Sequence, residues 1–206
     1  MTFSAVLLAG GKSTRMGGDK AELLLNGSPF WRIQLDLLRE AGAGEIFIAG
    51  SERELPRDSG VTIIGDAQPP GGPLSGVIAG LRRSTNPLLL VLAVDMPAMT
   101  ASFLKSLVAR AQPDCGLVPK TDAYEPLAAV YPTAALAAAE DCLQRGIFSM
   151  QEVVARVVAS GLMREYVVPS QERPLFFNTN TPAEFAEFVA TWSLRASRLR
   201  AAEDAP

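Results

Sequence analysis

Residues 10–20 (GGKSTRMGGDK) combine the residue types that can hold a triphosphate, since they include four glycines and three cations. Backbone N–H groups in a glycine-rich turn can converge on phosphate oxygens. Arg15 would bind such oxygens through its flat guanidinium fork, and Lys20 would act as a point charge. The segment matches neither the Walker A pattern nor GxGxxG. A tight surface turn with incidental cations is the alternative interpretation.

Two aspartates follow apolar runs that have the character of buried strands. Asp95 follows Leu88–Val94 and precedes Met96-Pro97. A carboxylate at the end of a central strand would lie at the ligand edge of a sheet, and it is the kind of ligand that Mg²⁺ prefers. We therefore predict that Asp95 binds the metal, with helix capping as the alternative. Asp66 could join that site, hydrogen-bond a nucleotide, or form a turn.

Two amide side chains near the C-terminus, Asn178 and Asn180, flank Thr179. Because an amide group both donates and accepts hydrogen bonds, the pair suits a substrate with several polar groups. Capping of the following helix is an equally open interpretation.

The composition excludes several kinds of chemistry. None of the 206 residues is histidine, which excludes Ser-His-Asp and Cys-His catalysis and most zinc sites. Cys115 and Cys142 form no CxxC pair, and a net charge of -3 without a long basic run argues against nucleic-acid binding. The apolar N-terminal stretch is too short for a signal peptide or a membrane span, so we expect a cytoplasmic protein that binds no membrane.

The order of apolar runs and amphipathic segments predicts the elements that position these residues. Alternating strands and helices indicate one Rossmann-like α/β domain over residues 1–206, with a mostly parallel central sheet and helices on both faces. The tail beyond about residue 200 should fray. The predicted strands are Phe3–Ala9, Glu45–Ala49, Val61–Ile64, Leu88–Val94, Cys115–Pro119, Leu127–Tyr131 and Met163–Val168. Helices are predicted after Ser28, over Leu74–Arg83, Ala101–Ala111, Thr133–Leu143 and Ser149–Val158, and from Thr181 onward.

Residues 8–27 (LAGGKSTRMGGDKAELLLNG) resemble the signature of the MobA family, the molybdenum cofactor guanylyltransferases. The resemblance continues, in the family's order, through residues 71–76, 94–97, 125–127 with 130–131, and 178–182. It implies a nucleotidyltransferase fold and a Mg²⁺-dependent transfer of GMP from GTP to a molybdopterin-type cofactor, with release of pyrophosphate. It also implies contacts with molybdenum-cofactor synthesis proteins and with recipient apo-enzymes.

The resemblance assigns roles to single residues. It places Asn178 and Asn180 near the second substrate and makes Lys20, Arg15 and Asp95 catalytic. The residues implied to bind the nucleotide are Leu8, Ala9, Gly10, Gly11, Lys20, Asp66 and Asp95.

Base preference follows from the resemblance as well. The related cytidylyltransferases usually carry alanine at the position of Gly10, so glycine favours GTP by leaving room for a purine. Ala49 departs from an asparagine that the family typically uses to contact the nucleotide. The alternatives are cytidylyl or other nucleotidyl transfer to molybdenum cofactor or to a sugar or alcohol phosphate, and, more remotely, a non-catalytic nucleotide-binding regulator.

Overall fold

The computed structural model describes residues 2–10, 24–25, 27–50 and 60–179, together with Glu184 and Phe188. Within these residues, strands and helices are interspersed along the chain, as an α/β domain requires. The strands are β1 (Ser4–Leu8), β2 (Leu24–Leu25), β3 (Ser28–Pro29), β4 (Glu45–Ala49), β5 (Thr62–Ile64), β6 (Leu88–Ala93), β7 (Gly116–Lys120), β8 (Ala128–Pro132) and β9 (Met163–Val167). The helices are α1 (Phe30–Ala41), α2 (Pro73–Arg83), α3 (Ala101–Arg110), α4 (Leu136–Gln144) and α5 (Met150–Ala159).

The main sheet has seven strands in the order β5-β4-β1-β6-β8-β7-β9. Strand β8 pairs antiparallel with both β6 and β7, whereas the other neighbouring pairs of this sheet are parallel. The prediction of a mostly parallel sheet is therefore confirmed. The chain first builds outward from β1 to β4 and β5, and it then returns to place β6 on the other side of β1.

Both faces of the sheet are covered by helices, which explains the uninterrupted apolar runs in its central strands. Alternate side chains of β6 enter opposite cores, since Leu90 packs on the side of α1 and α3 and Val91 packs on the side of α2, α4 and α5. All six residues of β6 are buried. A strand that is buried on both faces holds the residues at its end in a fixed place.

The boundary of α1 differs from the prediction. Ser28 was expected to cap this helix, but Ser28 and Pro29 form β3, which pairs with β2, and the helix begins at Phe30 without a side-chain cap. Thr100 and Ser149 do cap α3 and α5 through their hydroxyls. The predicted start of the last helix at Thr181 and the frayed tail lie outside the described residues, although Glu184 and Phe188 are helical.

In the described part of the chain, no helix is both long enough and apolar enough to span a membrane.

Candidate functional site

The strand order creates a crevice between β1 and β6. Chain connections leave these two neighbouring parallel strands in opposite directions, so the loops at their carboxyl ends diverge. In open α/β sheets this switch point is where ligands bind. Gly10, where the glycine-rich segment begins, follows β1, and Asp95 follows β6, so the topology brings Gly10 and Asp95 to the crevice. The N–H of Val94 donates to the carbonyl of Leu8 at 3.1 Å and ties the two loops together.

Gly10 and Gly50 meet backbone to backbone at the ends of β1 and β4. A Cβ added to Gly10 would lie 2.6 Å from the Cα of Gly50 and 2.8 Å from its carbonyl oxygen. Gly50 itself has φ 76°, a conformation that favours glycine. The backbone of Gly50 thus fills the space where a side chain of residue 10 would lie. This geometry does not support the prediction that Gly10 leaves room for a purine.

Asp66 lies beside this glycine pair. A Cβ added to Gly50 or to Gly76 would lie 3.6 or 3.5 Å from an Asp66 carboxylate oxygen, so the carboxylate is close to both glycines. Although Asp66 stays solvent-accessible, partial burial raises the pKa of its carboxyl group. The next residue is anchored, because the N–H of Ala67 donates to the carbonyl of Ser75 at 3.2 Å. This places Asp66 beside Gly50, at the ends of β1 and β4.

Asp95 is half-buried two residues beyond the end of β6. Its backbone carbonyl accepts a hydrogen bond from the N–H of Thr179 at 3.1 Å, and Thr179 is only 2% exposed. The predicted metal ligand and the segment predicted to meet the second substrate are therefore joined directly. Asn178, the residue before this contact, is exposed.

Gln34 was missed from the sequence. It lies on α1, is fully buried, and donates from Nε2 to the carbonyl of Met96 at 2.9 Å. Among the residues that the structure describes, none forms a hydrogen bond with its buried Oε1. A buried, unpaired amide oxygen costs stability, whereas the hydrogen bond from Nε2 anchors the Asp95–Met96 loop to α1. The available signal was a glutamine within the apolar face formed by Trp31 and Leu35.

A cavity of about 370 Å³ opens beside the same loop. Met96 contributes to one wall, and Leu127, Phe148 and Met150 make much of the rest apolar. Asn178 lies at the cavity as well. The volume falls within the range of small-molecule sites, about 300–1,000 Å³. The Asp95–Met96 loop therefore borders a cavity that is large enough for a small molecule.

Glu125 is a second residue that sequence reasoning left without a role. Because β8 runs antiparallel to β6, with Ala128 opposite Leu92, the residues just before β8 reach the edge where β6 ends. The N–H of Ala93 donates to the carbonyl of Leu127 at 2.8 Å, which fixes this approach. The segment's chemistry was visible in the sequence, but its position depended on knowing the strand pairing.

The structure describes some of the predicted site residues and not others. Leu8 and Ala9 are buried at the end of β1, and Gly10 is exposed. The site residues for which the structure gives no description are Gly11, Arg15, Lys20 and Asn180.

Comparison with known proteins decides the family. Residues 5–163 match the model of the MobA-like NTP transferase domain. The chain belongs to this family. It is 40% identical over 186 residues to the Opitutus terrae protein named "Probable molybdenum cofactor guanylyltransferase", with 88% of this chain and 92% of that protein covered. It is 35% identical over 191 residues to the molybdenum cofactor guanylyltransferase of Xanthomonas euvesicatoria pv. vesicatoria, with 91% and 94% covered.

Solved structures agree with this membership in the MobA-like family. The molybdopterin-guanine dinucleotide biosynthesis protein A of Archaeoglobus fulgidus superposes with a TM-score of 0.69 at 25% identity, covering 94% of this chain and 99% of that one. The chain is thus a nucleotidyltransferase with the predicted α/β fold.

Proposed function

We propose that this MobA-like transferase moves GMP from GTP to a molybdopterin-type molybdenum cofactor and releases pyrophosphate. Relatives at 40% and 35% identity carry the name molybdenum cofactor guanylyltransferase. Recipient apo-enzymes and proteins of cofactor synthesis would be the partners of such an activity.

The observation that carries the proposal is the position of the Asp95 loop between two binding regions. On one side, Val94 is hydrogen-bonded to Leu8, where the glycine-rich segment begins. On the other side, Met96 lines the cavity and Asp95 holds Thr179. A nucleotide phosphate and an acceptor phosphate could therefore meet at this loop, as in-line transfer between them requires.

The reaction needs little from the protein beyond positioning and charge. An oxygen of the acceptor's phosphate attacks the α-phosphorus of GTP, and the bond from that phosphorus to the bridging oxygen breaks as pyrophosphate leaves. A phosphate monoester has a second pKa near ~6, so the nucleophile is mostly a dianion at neutral pH and needs no general base. This agrees with a chain that has no histidine. On this proposal Lys20 and Arg15 bind the phosphates.

The chemistry of Asp95 fits a magnesium site. In the part of the chain that the structure describes, no three ligating side chains form a metal cluster of their own. Mg²⁺ commonly binds one or two carboxylates together with substrate phosphates and water. Asp95 would hold the ion, with Asp66 as a further oxygen ligand or a nucleotide contact. The bound ion would neutralise charge on the phosphates during transfer.

A product assay tests the proposal. The chain is incubated with Mg²⁺, molybdopterin and each of the four NTPs separately, and the products are identified by mass. We expect a GMP adduct and pyrophosphate from GTP only. A CMP adduct, or no adduct from any NTP, would contradict the assignment.

The Asp95→Asn variant tests the role of the carboxylate. Loss of the metal ligand should lower turnover by at least about 100-fold, because electrostatic stabilisation of this kind contributes several kcal/mol. Thermal unfolding should stay near the wild-type value. The matched control is Asp114→Asn, since Asp114 is exposed just before β7, at the opposite edge of the sheet. Near-normal turnover in Asp95→Asn would remove Asp95 from the metal site.

A further inference from the structure

The polar groups around the acceptor cavity are not equally available to a ligand. The hydroxyl of Tyr124 donates to Glu165 at 2.5 Å. The side-chain amide of Gln151 donates to the backbone carbonyl of Tyr124 at 2.8 Å and accepts from the backbone N–H of Tyr124 at 3.1 Å. These two side chains therefore stiffen the cavity wall and have their hydrogen bonds within the protein.

Glu125 is different, because only one of its two carboxylate oxygens accepts a hydrogen bond from the described residues. Oε1 accepts a hydrogen bond from the hydroxyl of Thr121 at 2.6 Å, and the backbone N–H of Glu125 donates to Pro119 at 2.8 Å. Among the residues that the structure describes, none donates to Oε2. The carboxylate is therefore held in place with its second oxygen left for a ligand.

Glu125 is also the only charged side chain among the described residues that line the cavity. Burial raises the pKa of its carboxyl group, the hydrogen bond from Thr121 opposes this, and nearby Asp122 adds to it. A half-buried carboxylate in a largely apolar cavity favours a ligand that brings N–H or O–H donors. It disfavours a ligand phosphate at the same place.

The apolar part of the cavity narrows the choice of ligand. Phe148 is 45% exposed although it is a large aromatic residue, so it offers a surface to a flat ring. Met96 and Met150 are polarisable side chains that adapt to such a ring. A sugar or an alcohol phosphate would gain little from these groups, whereas a flat heterocycle would gain from all of them.

We propose that Glu125 determines acceptor specificity by accepting hydrogen bonds from the aminopyrimidinone edge of the acceptor's pterin ring, which packs against Phe148. This inference depends on the proposed function for the identity of the acceptor. The edge presents an exocyclic N–H and a ring N–H side by side, so one can donate to the open Oε2 and the other to the lone pair of Oε1 that Thr121 does not use. Repulsion by the same carboxylate turns the acceptor's phosphate away from Glu125 and toward the Asp95–Met96 wall.

The Glu125→Gln variant of the full chain tests the inference. Glutamine keeps the size and can still accept from Thr121, but it presents an N–H to the ring's own donors. Loss of charge-assisted hydrogen bonds should raise the KM for molybdopterin by about 10- to 100-fold. The KM for GTP should stay within about twofold of wild type, since the variant leaves the nucleotide side intact.

Guanine carries the same aminopyrimidinone edge, so the assay must separate the two rings. Equilibrium binding of a simple pterin without phosphate is measured in the absence of nucleotide, and GTP binding is measured in the absence of pterin. We expect Glu125→Gln to weaken pterin binding alone. If GTP binding weakens instead, or if neither changes, the inference is overturned.

The matched control is Glu152→Gln. Glu152 lies in the first turn of α5, next to the cavity residue Gln151, but it is exposed and paired with Arg156 at 2.8 Å. It should leave pterin binding unchanged. If Glu125→Gln does not fold, Glu125→Asp serves instead, because a carboxylate one methylene shorter should still weaken pterin binding, and unchanged binding would overturn the inference.

Failure of the inference and failure of the proposed function give different results. If wild-type chain forms the GMP adduct but Glu125→Gln has unchanged kinetics, only the role of Glu125 is wrong. If wild-type chain forms no adduct but binds the simple pterin in a Glu125-dependent way, the proposed reaction is wrong and the pterin site stands.

Discussion

The contact between Gly10 and Gly50 yields a prediction about both stability and nucleotide binding. In Gly10→Ala the new Cβ would lie 2.6 Å from the Cα of Gly50, whereas carbon atoms in ordinary contact are about 3.5–4.0 Å apart. The nearest atoms are backbone, so no side chain can rotate away. The backbone is also held, because the N–H of Ala9 donates to the carbonyl of Ala49 at 3.0 Å. The overlap of about 1 Å must therefore strain the ends of β1 and β4.

The expected loss follows from the size of this overlap. Overpacking of a fixed site costs about 1–3 kcal/mol. For a chain of this length, each kcal/mol corresponds to about 2–4 °C in the unfolding temperature. Gly10→Ala should therefore unfold about 2–12 °C below wild type. Separation of Gly10 from Gly50 should also disturb the neighbouring Asp66 and raise the KM for GTP.

Thermal unfolding followed by circular dichroism, together with GTP kinetics, checks this prediction. The matched control is Gly65→Ala in a nearby loop, where a Cβ would meet nothing within 4 Å. This control should unfold at or slightly above the wild-type temperature. If Gly10→Ala unfolds at the same temperature as Gly65→Ala and keeps the wild-type KM for GTP, the close approach is not a constraint and the reasoning fails.

Two further variants probe residues that support the site from a distance. Gln34→Leu should change stability by less than about 1 kcal/mol, because the lost hydrogen bond to Met96 is offset by removal of a buried unpaired oxygen. It should raise the Mg²⁺ concentration needed for half-maximal turnover, since the loop that carries Asp95 loses an anchor. Glu45→Gln should destabilise the protein at neutral pH, because hydrogen bonds, chiefly from Ser4 at 2.5 Å, lower the pKa of the Glu45 carboxyl group from 4.5. A lowered pKa gives stability that is present above the unfolded pKa and is lost as the pH falls through the folded pKa. Denaturant unfolding between pH 7 and pH 3 should therefore show the gap between wild type and Glu45→Gln closing in acid.

These two variants have simple controls. Gln144→Leu, on the exposed side of α4, should leave the magnesium dependence unchanged, and an unchanged dependence in Gln34→Leu as well would exclude the positioning role. Glu40→Gln, at an exposed position on α1, should not reproduce the effect at Glu45. A stability gap for Glu45→Gln that is the same at every pH would show that the carboxylate's ionisation is not involved.

Many of the strands and helices could be predicted from the sequence because they depend on the types and spacing of neighbouring residues. The apolar runs of β1 and β6 predicted central strands, since only a strand covered on both faces can be apolar without alternation. The helices predicted over Ala101–Ala111 and Ser149–Val158 lie within one residue of α3 and α5, and each follows a hydroxyl, Thr100 or Ser149, that caps within three residues of its own position. The start of α1 could not be read in the same way, because Ser28 is used in pairing with β2 instead of in capping.

The sequence alone determined the glycine- and cation-rich composition of residues 10–20, the carboxylate after β6 and the family. These depend on residue type and on distance along the chain. The tertiary structure decided which distant segments share one edge of the sheet. The antiparallel pairing of β8 with β6 brings Glu125 to the cavity, and the packing of α1 brings Gln34 to Met96 across 62 residues. Pairing direction and helix packing minimise the free energy of the whole chain, so no local pattern could have fixed either contact.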